Sequence, residues 1–181
     1  MYVKPSPDLF GPRTVYTADT VLVDPLGGGN TPAIGDFYLY IDPTYGPQIW
    51  RRVKNTSGSS ITAGHLCAFK AGSRVEVLAA ATDDLPKEMC AGFAPTAPID
   101  ETQIALSVIA TTKCFSVLVK GRGLVICAGN VSQSAVMQST ATAGQVDDRT
   151  PVAGSSLGVF EAANAAGAGA SVIAAISCSE V

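Results

Sequence analysis

Apolar residues come in short runs along this sequence, and that spacing restricts the fold more than any other feature. From Asn55 onward, no stretch keeps the apolar period of a helix over a long window. Runs rich in Val, Ile and Ala are instead bounded by Gly, Ser, Asp and Pro. Short strands that alternate with turn residues are typical of β-sandwiches and β-barrels. The predicted strands are 65–70, 73–80, 88–94, 103–110, 114–120, 122–127, 131–138, 156–162 and 170–177.

The first residues predict an extended arm. Pro5, Pro7 and Pro12 lie within residues 1–13, and such proline density disfavours a helix and favours an extended chain. A strand is predicted next, at 14–23, because its valines alternate with polar residues.

A β-hairpin is predicted after the arm. The segments DFYLYI (36–41) and QIWRRV (48–53) flank the turn-rich segment DPTYGP. We therefore predict two parts: an extended N-terminal arm with a β-hairpin at 1–54, and an all-β barrel or sandwich domain at 55–181.

One turn motif is written twice in the predicted β domain. Ile61-Thr62-Ala63-Gly64 resembles Ile126-Cys127-Ala128-Gly129, and CAGFAPTAP further along resembles SLGVFEAAN at nearly the same offset. A predicted strand follows both CAGFAPTAP and SLGVFEAAN. The sequence therefore predicts a domain built from two similar halves, at about 55–120 and 121–181.

The fraction of charged residues and the net charge indicate which class of partner this chain suits. Charged residues make up 15% of the chain, against about 25% in an ordinary soluble domain. Two explanations stay open: a surface that contacts other proteins, or a compact β protein whose surface is Ser, Thr, Gly and Asn. The net charge of −3 argues against nucleic acid as a partner. The small basic cluster of Arg51, Arg52 and Lys54 is expected to be a solvated face.

Cysteine usage and the two termini bear on the compartment. The 5 cysteines lack paired metal-ligand spacing and lie in apolar runs, so we expect buried, reduced thiols and assembly in a cytosol-like compartment. Neither the proline-rich start nor the Ala- and Gly-rich end has the pattern of a signal peptide or a membrane anchor. No membrane partner is expected.

Residues with catalytic chemistry do not form a convincing set. Gly154-Ser155-Ser156-Leu157-Gly158 fits the nucleophile-elbow pattern, but the single histidine, His65, lies upstream and a strand is predicted after the motif. A single histidine also excludes a multi-histidine metal site. The paired carboxylates at 83–84, 100–101 and 147–148 lie in turns, where Asp bonds to the local backbone. We expect no catalytic residue, no cofactor and no metal, and hence no enzyme.

The segments that carry a family resemblance all lie between residues 55 and 181 or directly before them. They are RVKNTSGSSITAGHLCAF, CAGFAPTA, FSVLVKGRGLVICAGNVSQSAVMQSTATAGQVDD and SLGVFEAANAAGAGASVIAAI. This succession resembles the capsid decoration (cement) proteins of tailed bacteriophages. The resemblance implies a small β-barrel or β-tulip domain, usually a homotrimer, on the outer surface of the virion capsid. Its partner is the major capsid protein, whose neighbouring subunits it clamps against internal DNA pressure.

Aromatic residues concentrate in the part that the resemblance does not cover. The single Trp and most of the Tyr residues lie between positions 16 and 50, where they form either a docking surface or part of the core. Under the first alternative, the predicted capsid contacts are Phe10, Tyr16, Tyr38, Tyr45 and Trp50. The same aromatics could stack on sugars, so a carbohydrate- or receptor-binding module of a phage head fibre or tail is the alternative function.

Overall fold

The computed structural model describes residues 2–4, 14–15, 34–81, 85–95, 99–100, 108–148, 159–162 and 164–178. Apart from one turn of 3₁₀ helix at Lys87–Met89, the regular elements in these ranges are β-strands. In chain order they are β1 Tyr2–Lys4, β2 Thr14–Val15, β3 Phe37–Asp42, β4 Gly46–Asn55, β5 Ile61–Thr62, β6 Leu66–Phe69, β7 Glu76–Ala79, β8 Cys90–Phe93, β9 Ile99–Asp100, β10 Val108–Ile109, β11 Cys114–Ile126, β12 Val136–Ser139, β13 Val146–Asp147, β14 Val159–Ala162 and β15 Ser171–Ser177.

Five of these strands close into a barrel. β4 pairs in parallel with β7, β7 pairs with β6, β6 with β8, and β8 with β11. β11 then returns to β4 in an antiparallel ladder that runs from Cys114 beside Lys54 to Lys120 beside Ile49. A ring of strands leaves no open edge within it, which is how small β proteins protect their backbone hydrogen-bonding groups. The predicted all-β barrel is confirmed.

A second group of strands grows from the other half of β11. Residues Lys120–Ile126 pair with β15, and the sheet continues through β14 and β12 to β13. A single parallel bridge joins Val146 of β13 to Cys127, directly after β11. β11 is thus shared by both groups, and its 13 residues make it longer than its partners β4, β8 and β15, which have 10, 4 and 7 residues.

The length of β11 differs from the prediction of separate strands at 114–120 and 122–127. Gly121 lies between them with a φ of +120°, and a Cβ at this position would meet the carbonyl oxygen of Pro47 at 2.7 Å. Glycine therefore does not interrupt the strand here. It allows β11 to pass close to the start of β4 as it leaves the barrel.

The repeated turn lies elsewhere than predicted. Gly64 has a φ of +78° and the His65 amide donates to the Thr62 carbonyl at 3.1 Å, which is a type II turn. Gly129 has no positive φ, so Ile126–Gly129 is not a second copy. The same turn instead recurs at 70–73, 142–145 and 167–170, each with a positive φ at the glycine of its Ala-Gly pair and a hydrogen bond from the fourth residue to the first. Whether two similar halves exist at 55–120 and 121–181 stays a prediction.

The predicted hairpin is present, but it is not separate from the barrel. β3 and β4 pair antiparallel from Phe37 beside Arg51 to Asp42 beside Gly46, and β4 is itself a barrel strand. A boundary after residue 54 therefore does not follow the sheet. Of the predicted arm, residues 2–4 form β1, which pairs in parallel with β3, and 14–15 form β2 beside β9. Most of residues 1–33 lie outside the described ranges.

The core extends through the barrel and the second strand group, and two of the charges that were expected at the surface are buried. Arg51 is 7% exposed and Arg52 is 1% exposed, so the expectation of a solvated face is wrong for both. Arg51 is accommodated because its guanidinium lies 4.8 Å from the ring centre of Phe37 and 4.9 Å from that of Phe69. The cysteines are buried, as predicted. Within the described ranges, no helix is long and apolar enough to cross a membrane.

Candidate docking surface

The five predicted contact residues divide into three groups. Phe10 and Tyr16 lie outside the described residues. Tyr38 and Trp50 are 2% and 5% exposed, so both side chains belong to the core, the other alternative that the sequence left open. Tyr45 lies in the turn between β3 and β4 and is partly exposed. The capsid contact itself stays a prediction, and of the three described side chains only that of Tyr45 reaches the surface.

Tyr38 and Trp50 lie beside each other at the base of the hairpin. They are cross-strand partners in the β3–β4 ladder, and the next pair toward the tip on the same face is Tyr40 beside Gln48. All four side chains are buried. Cross-strand pairs on one face are the unit that stabilises an antiparallel ladder, so this face fixes the register of the hairpin.

Hydrogen bonds fasten the base of the hairpin to β11. The Tyr38 hydroxyl donates to Ser116 Oγ at 2.7 Å. The Trp50 indole N–H donates to Gln48 Oε1 at 2.9 Å, and Gln48 Nε2 donates to the Arg122 carbonyl at 2.6 Å. Gln48 is 2% exposed and uses both ends of its amide, as a buried polar side chain must. The base is therefore held by packing and by hydrogen bonds.

The tip of the hairpin is ordered by its own turn. Asp42 Oδ1 accepts hydrogen bonds from the backbone N–H groups of Thr44 at 2.8 Å and Tyr45 at 2.9 Å. This is the local bonding that favours Asp at the start of a turn. Gly46 follows with a φ of +80° and begins β4. The tip therefore has a defined conformation before anything binds to it.

The tip of the hairpin exposes apolar side chains to solvent. Ile41 is 52% exposed and lies beside Pro47, which is also exposed, as is Pro43. Together with Tyr45 these residues form what we call the tip surface, Ile41–Pro47. Its one charged residue is Asp42, whose carboxylate already bonds to the backbone. Among the described residues, only Val136 is a comparably exposed large hydrophobic residue, at 43%.

The first strand of the chain runs along the hairpin from its base toward its tip. β1 runs parallel to β3, with Tyr2 beside Tyr38 and Lys4 beside Tyr40. Lys4 is thus one residue short of Ile41 along the ladder. Any contact made by the arm directly after β1 therefore begins next to the tip surface.

Sequence reasoning missed Ile41 and Gln48, and the sequence carries only a partial signal for the first of them. Alternation along β3 puts Tyr38 and Tyr40 on one face and Leu39 and Ile41 on the other. The pattern does not say which face is buried, because both faces are apolar or aromatic. Gln48 carries no local signal, since its partner Arg122 is far along the chain.

The described residues show no arrangement suited to catalysis. His65 directly precedes β6, as a strand-start residue, and its ring packs against the Gly144 turn. Burial lowers the pKa of His65, and its Nδ1 has no hydrogen-bond partner. Across the described ranges, no group of three or more His, Cys, Asp or Glu residues is placed to hold a metal ion. The pattern Gly154–Gly158 lies outside the described residues.

The chain has little similarity to known proteins. No protein family and no curated protein matches the sequence. Among solved structures, the chain is similar to the N base of the head fiber gp8.5 in bacteriophage phi29, with 17% identity and a TM-score of 0.44. The alignment covers 73% of this chain and 96% of that chain. At this TM-score, the similarity establishes neither a shared fold nor a shared function.

Proposed function

We propose that this protein is a structural virion protein of a tailed bacteriophage that binds the outer surface of the capsid and stabilises it. The sequence resemblance to capsid decoration proteins supports this, together with the β-barrel that such a resemblance implies. The observation that carries the proposal at the structural level is the tip surface, an ordered and apolar turn that projects from a fixed base.

The tip surface suits docking because it is already ordered. A partner that buries Ile41 and Tyr45 removes apolar area from water, while the two hydrogen bonds to Asp42 hold the turn in place. Binding a pre-ordered loop avoids most of the entropy that a flexible loop loses. We propose that the tip contacts the major capsid protein and that its neighbouring subunits are clamped together.

Avidity explains how a small contact holds a capsid protein in place. We propose a homotrimer, so that three tips engage neighbouring subunits at once. Once one tip is bound, the others bind at a high effective concentration, and overall affinity then exceeds that of a single contact. The arm adds to this contact, since it continues from the end of β1, which lies near the tip.

The main experiment compares two matched surface variants. Ile41→Ser and Val136→Ser each remove one exposed large hydrophobic side chain, the first at the tip and the second on β12. We expect Ile41→Ser to bind bare capsids about tenfold more weakly, because an Ile side chain stabilises an interface by about 1.5 kcal/mol or more. Val136→Ser is expected to stay within about twofold of the parent protein.

The same preparation tests the wider proposal. The mass in solution is expected to be that of a trimer, and the protein is expected to saturate capsids at a fixed high copy number and raise their melting temperature. Equal capsid binding by both serine variants would show that the tip does not contact the capsid. A protein that ignores capsids altogether would contradict the capsid role.

Deletion of residues 1–13 tests the arm. We expect weaker capsid binding with the barrel still folded, because the deletion removes β1 from the outer edge of β3 and leaves the barrel strands in place. Unchanged binding by this variant would contradict a contribution from the arm.

Two other functions, a carbohydrate-binding module and a hydrolase, are distinguished by further tests. A carbohydrate-binding module needs exposed aromatic rings, yet Tyr38, Tyr40 and Trp50 are buried. Binding to cell-surface glycans, with few copies per virion, would nevertheless favour that function. For a hydrolase, Ser156→Ala would abolish ester or peptide hydrolysis, whereas we expect no hydrolysis by either protein.

A further inference from the structure

Two buried cysteines lie in direct contact at the junction of the two strand groups. Sγ of Cys90 is 2.9 Å from Sγ of Cys178, and the two residues are 88 positions apart in the sequence. Cys90 is 3% exposed and Cys178 is 2% exposed. A disulfide has an S–S distance of about 2.05 Å, so a movement of about 1 Å is enough to form the bond.

The position of this pair gives a bond between them a structural consequence. Cys90 begins β8 in the barrel, and Cys178 directly follows β15 in the second strand group. The two strands lie on opposite sides of β11 in the sheet order. The Cys178 amide also donates to the Val119 carbonyl of β11 at 2.9 Å. A covalent bond would therefore join the two groups directly, where they are now joined through β11.

We propose that Cys90 and Cys178 are a site of disulfide formation, closed when the protein meets an oxidising small-molecule disulfide such as oxidised glutathione. One protein thiolate attacks that disulfide and releases one glutathione thiol. The second protein thiol loses its proton to solvent and displaces the second glutathione. Two protein thiols are thus oxidised, and one glutathione disulfide is reduced to two thiols. This inference does not depend on the proposed function.

Cys67 is the competing partner, since it lies in β6 next to β8. Burial raises the pKa of the Cys67 thiol, and the neighbouring Cys90 raises it further. The thiolate is the attacking species in disulfide exchange, so Cys67 reacts poorly. Cys178 lies just past the end of a strand, and strand ends open more readily than strand centres. The reaction is therefore expected to begin at Cys178.

The first measurement counts free thiols in the intact chain. Reduced protein is denatured and alkylated, and mass spectrometry is expected to show all five cysteines modified. After prolonged incubation with oxidised glutathione, three are expected to be modified, and peptide mapping is expected to join Cys90 to Cys178. Five modified cysteines after oxidation, or a bond that joins Cys67 to Cys90, would contradict the proposal.

The second measurement uses stability and a matched control. Closing a long loop with a disulfide is expected to raise the melting temperature by about 10 °C. Cys178→Ser is expected to abolish this rise, whereas Cys127→Ser, at another buried cysteine, is expected to keep it. If the serine variant does not fold, Cys178→Ala replaces it. An equal rise in the Cys178 variant would overturn the assignment.

Discussion

At the base of the β3–β4 hairpin, Tyr38 and Trp50 are buried and hydrogen-bonded, while at its tip Ile41 is 52% exposed and Tyr45 is partly exposed. Both ends carry large apolar or aromatic residues. The base faces the interior and contacts β11, whereas the β4–β11 ladder ends at Ile49 beside Lys120, short of the tip. Residue type is therefore a poor guide to which end of this hairpin is exposed, and distance from β11 is the better one.

The comparison predicts that changes at the base alter stability and changes at the tip alter binding. The two ends belong to the same pair of strands, so a variant at one end serves as a control for the other. Side chains at the base are expected to contribute more to the free energy of unfolding than side chains at the tip.

Trp50→Ala is expected to have the largest effect. It removes a buried indole and leaves the Gln48 amide oxygen without the donor it has now. We expect a loss of about 3–5 kcal/mol in the free energy of unfolding. Urea denaturation followed by circular dichroism measures it, because the variant lacks the only Trp. A loss below about 1 kcal/mol would show that Trp50 is not buried in solution, and it would again be a candidate surface contact.

Gly121→Ala is expected to come next, because its Cβ would meet the Pro47 carbonyl oxygen at 2.7 Å and its φ is +120°. The control is Gly58→Ala, where φ is +75° and nothing lies within 4 Å of the added atom. We expect losses of about 3 kcal/mol and about 1 kcal/mol respectively. Trp fluorescence during urea denaturation reports both. Equal losses would show that β11 and the hairpin do not approach closely in solution.

Tyr38→Phe is expected to have a smaller effect, since it keeps the ring and removes only the hydroxyl that donates to Ser116. We expect a loss of about 1–2 kcal/mol. Tyr45→Phe makes the same chemical change at the tip and is expected to stay within about 0.5 kcal/mol. Thermal unfolding of both variants, side by side, measures the difference. If the two losses are alike, the contrast between base and tip is wrong.

Much of the local structure was predictable from the sequence, because strand and turn chemistry is local. The positions of β3, β4, β6, β7 and β15 follow from short apolar runs between turn residues. The closure of the barrel was not predictable, since β4 pairs with β11 across a long stretch of chain. The burial of Arg51 has the same origin, because the Phe69 ring that it contacts belongs to β6.

The docking surface was only partly predictable. The aromatic concentration between positions 16 and 50 pointed to the hairpin that carries the candidate surface, but it could not separate Tyr45 from Tyr38 and Trp50. That separation depends on which part of the hairpin contacts β11, and it is decided by non-local contacts such as the one between Tyr38 and Ser116. Glycine at position 121 was a misleading signal, because glycine inside a strand commonly marks an interruption.

Asp42→Ala is expected to have the smallest effect on stability and a clear effect at the tip. It removes the acceptor for the Thr44 and Tyr45 amides, and we expect a loss of about 0.5–1 kcal/mol. Both amides are expected to exchange hydrogen faster, and capsid binding is expected to weaken severalfold because the tip must then be ordered on binding. Thr44→Ala is the control, since it shortens an exposed side chain and keeps both backbone donors. Faster exchange in Asp42→Ala with unchanged capsid binding would show that order at the tip does not matter for docking. The same loss of binding in Thr44→Ala would instead attribute the effect to the lost side chain, and the tip would then act through its surface alone.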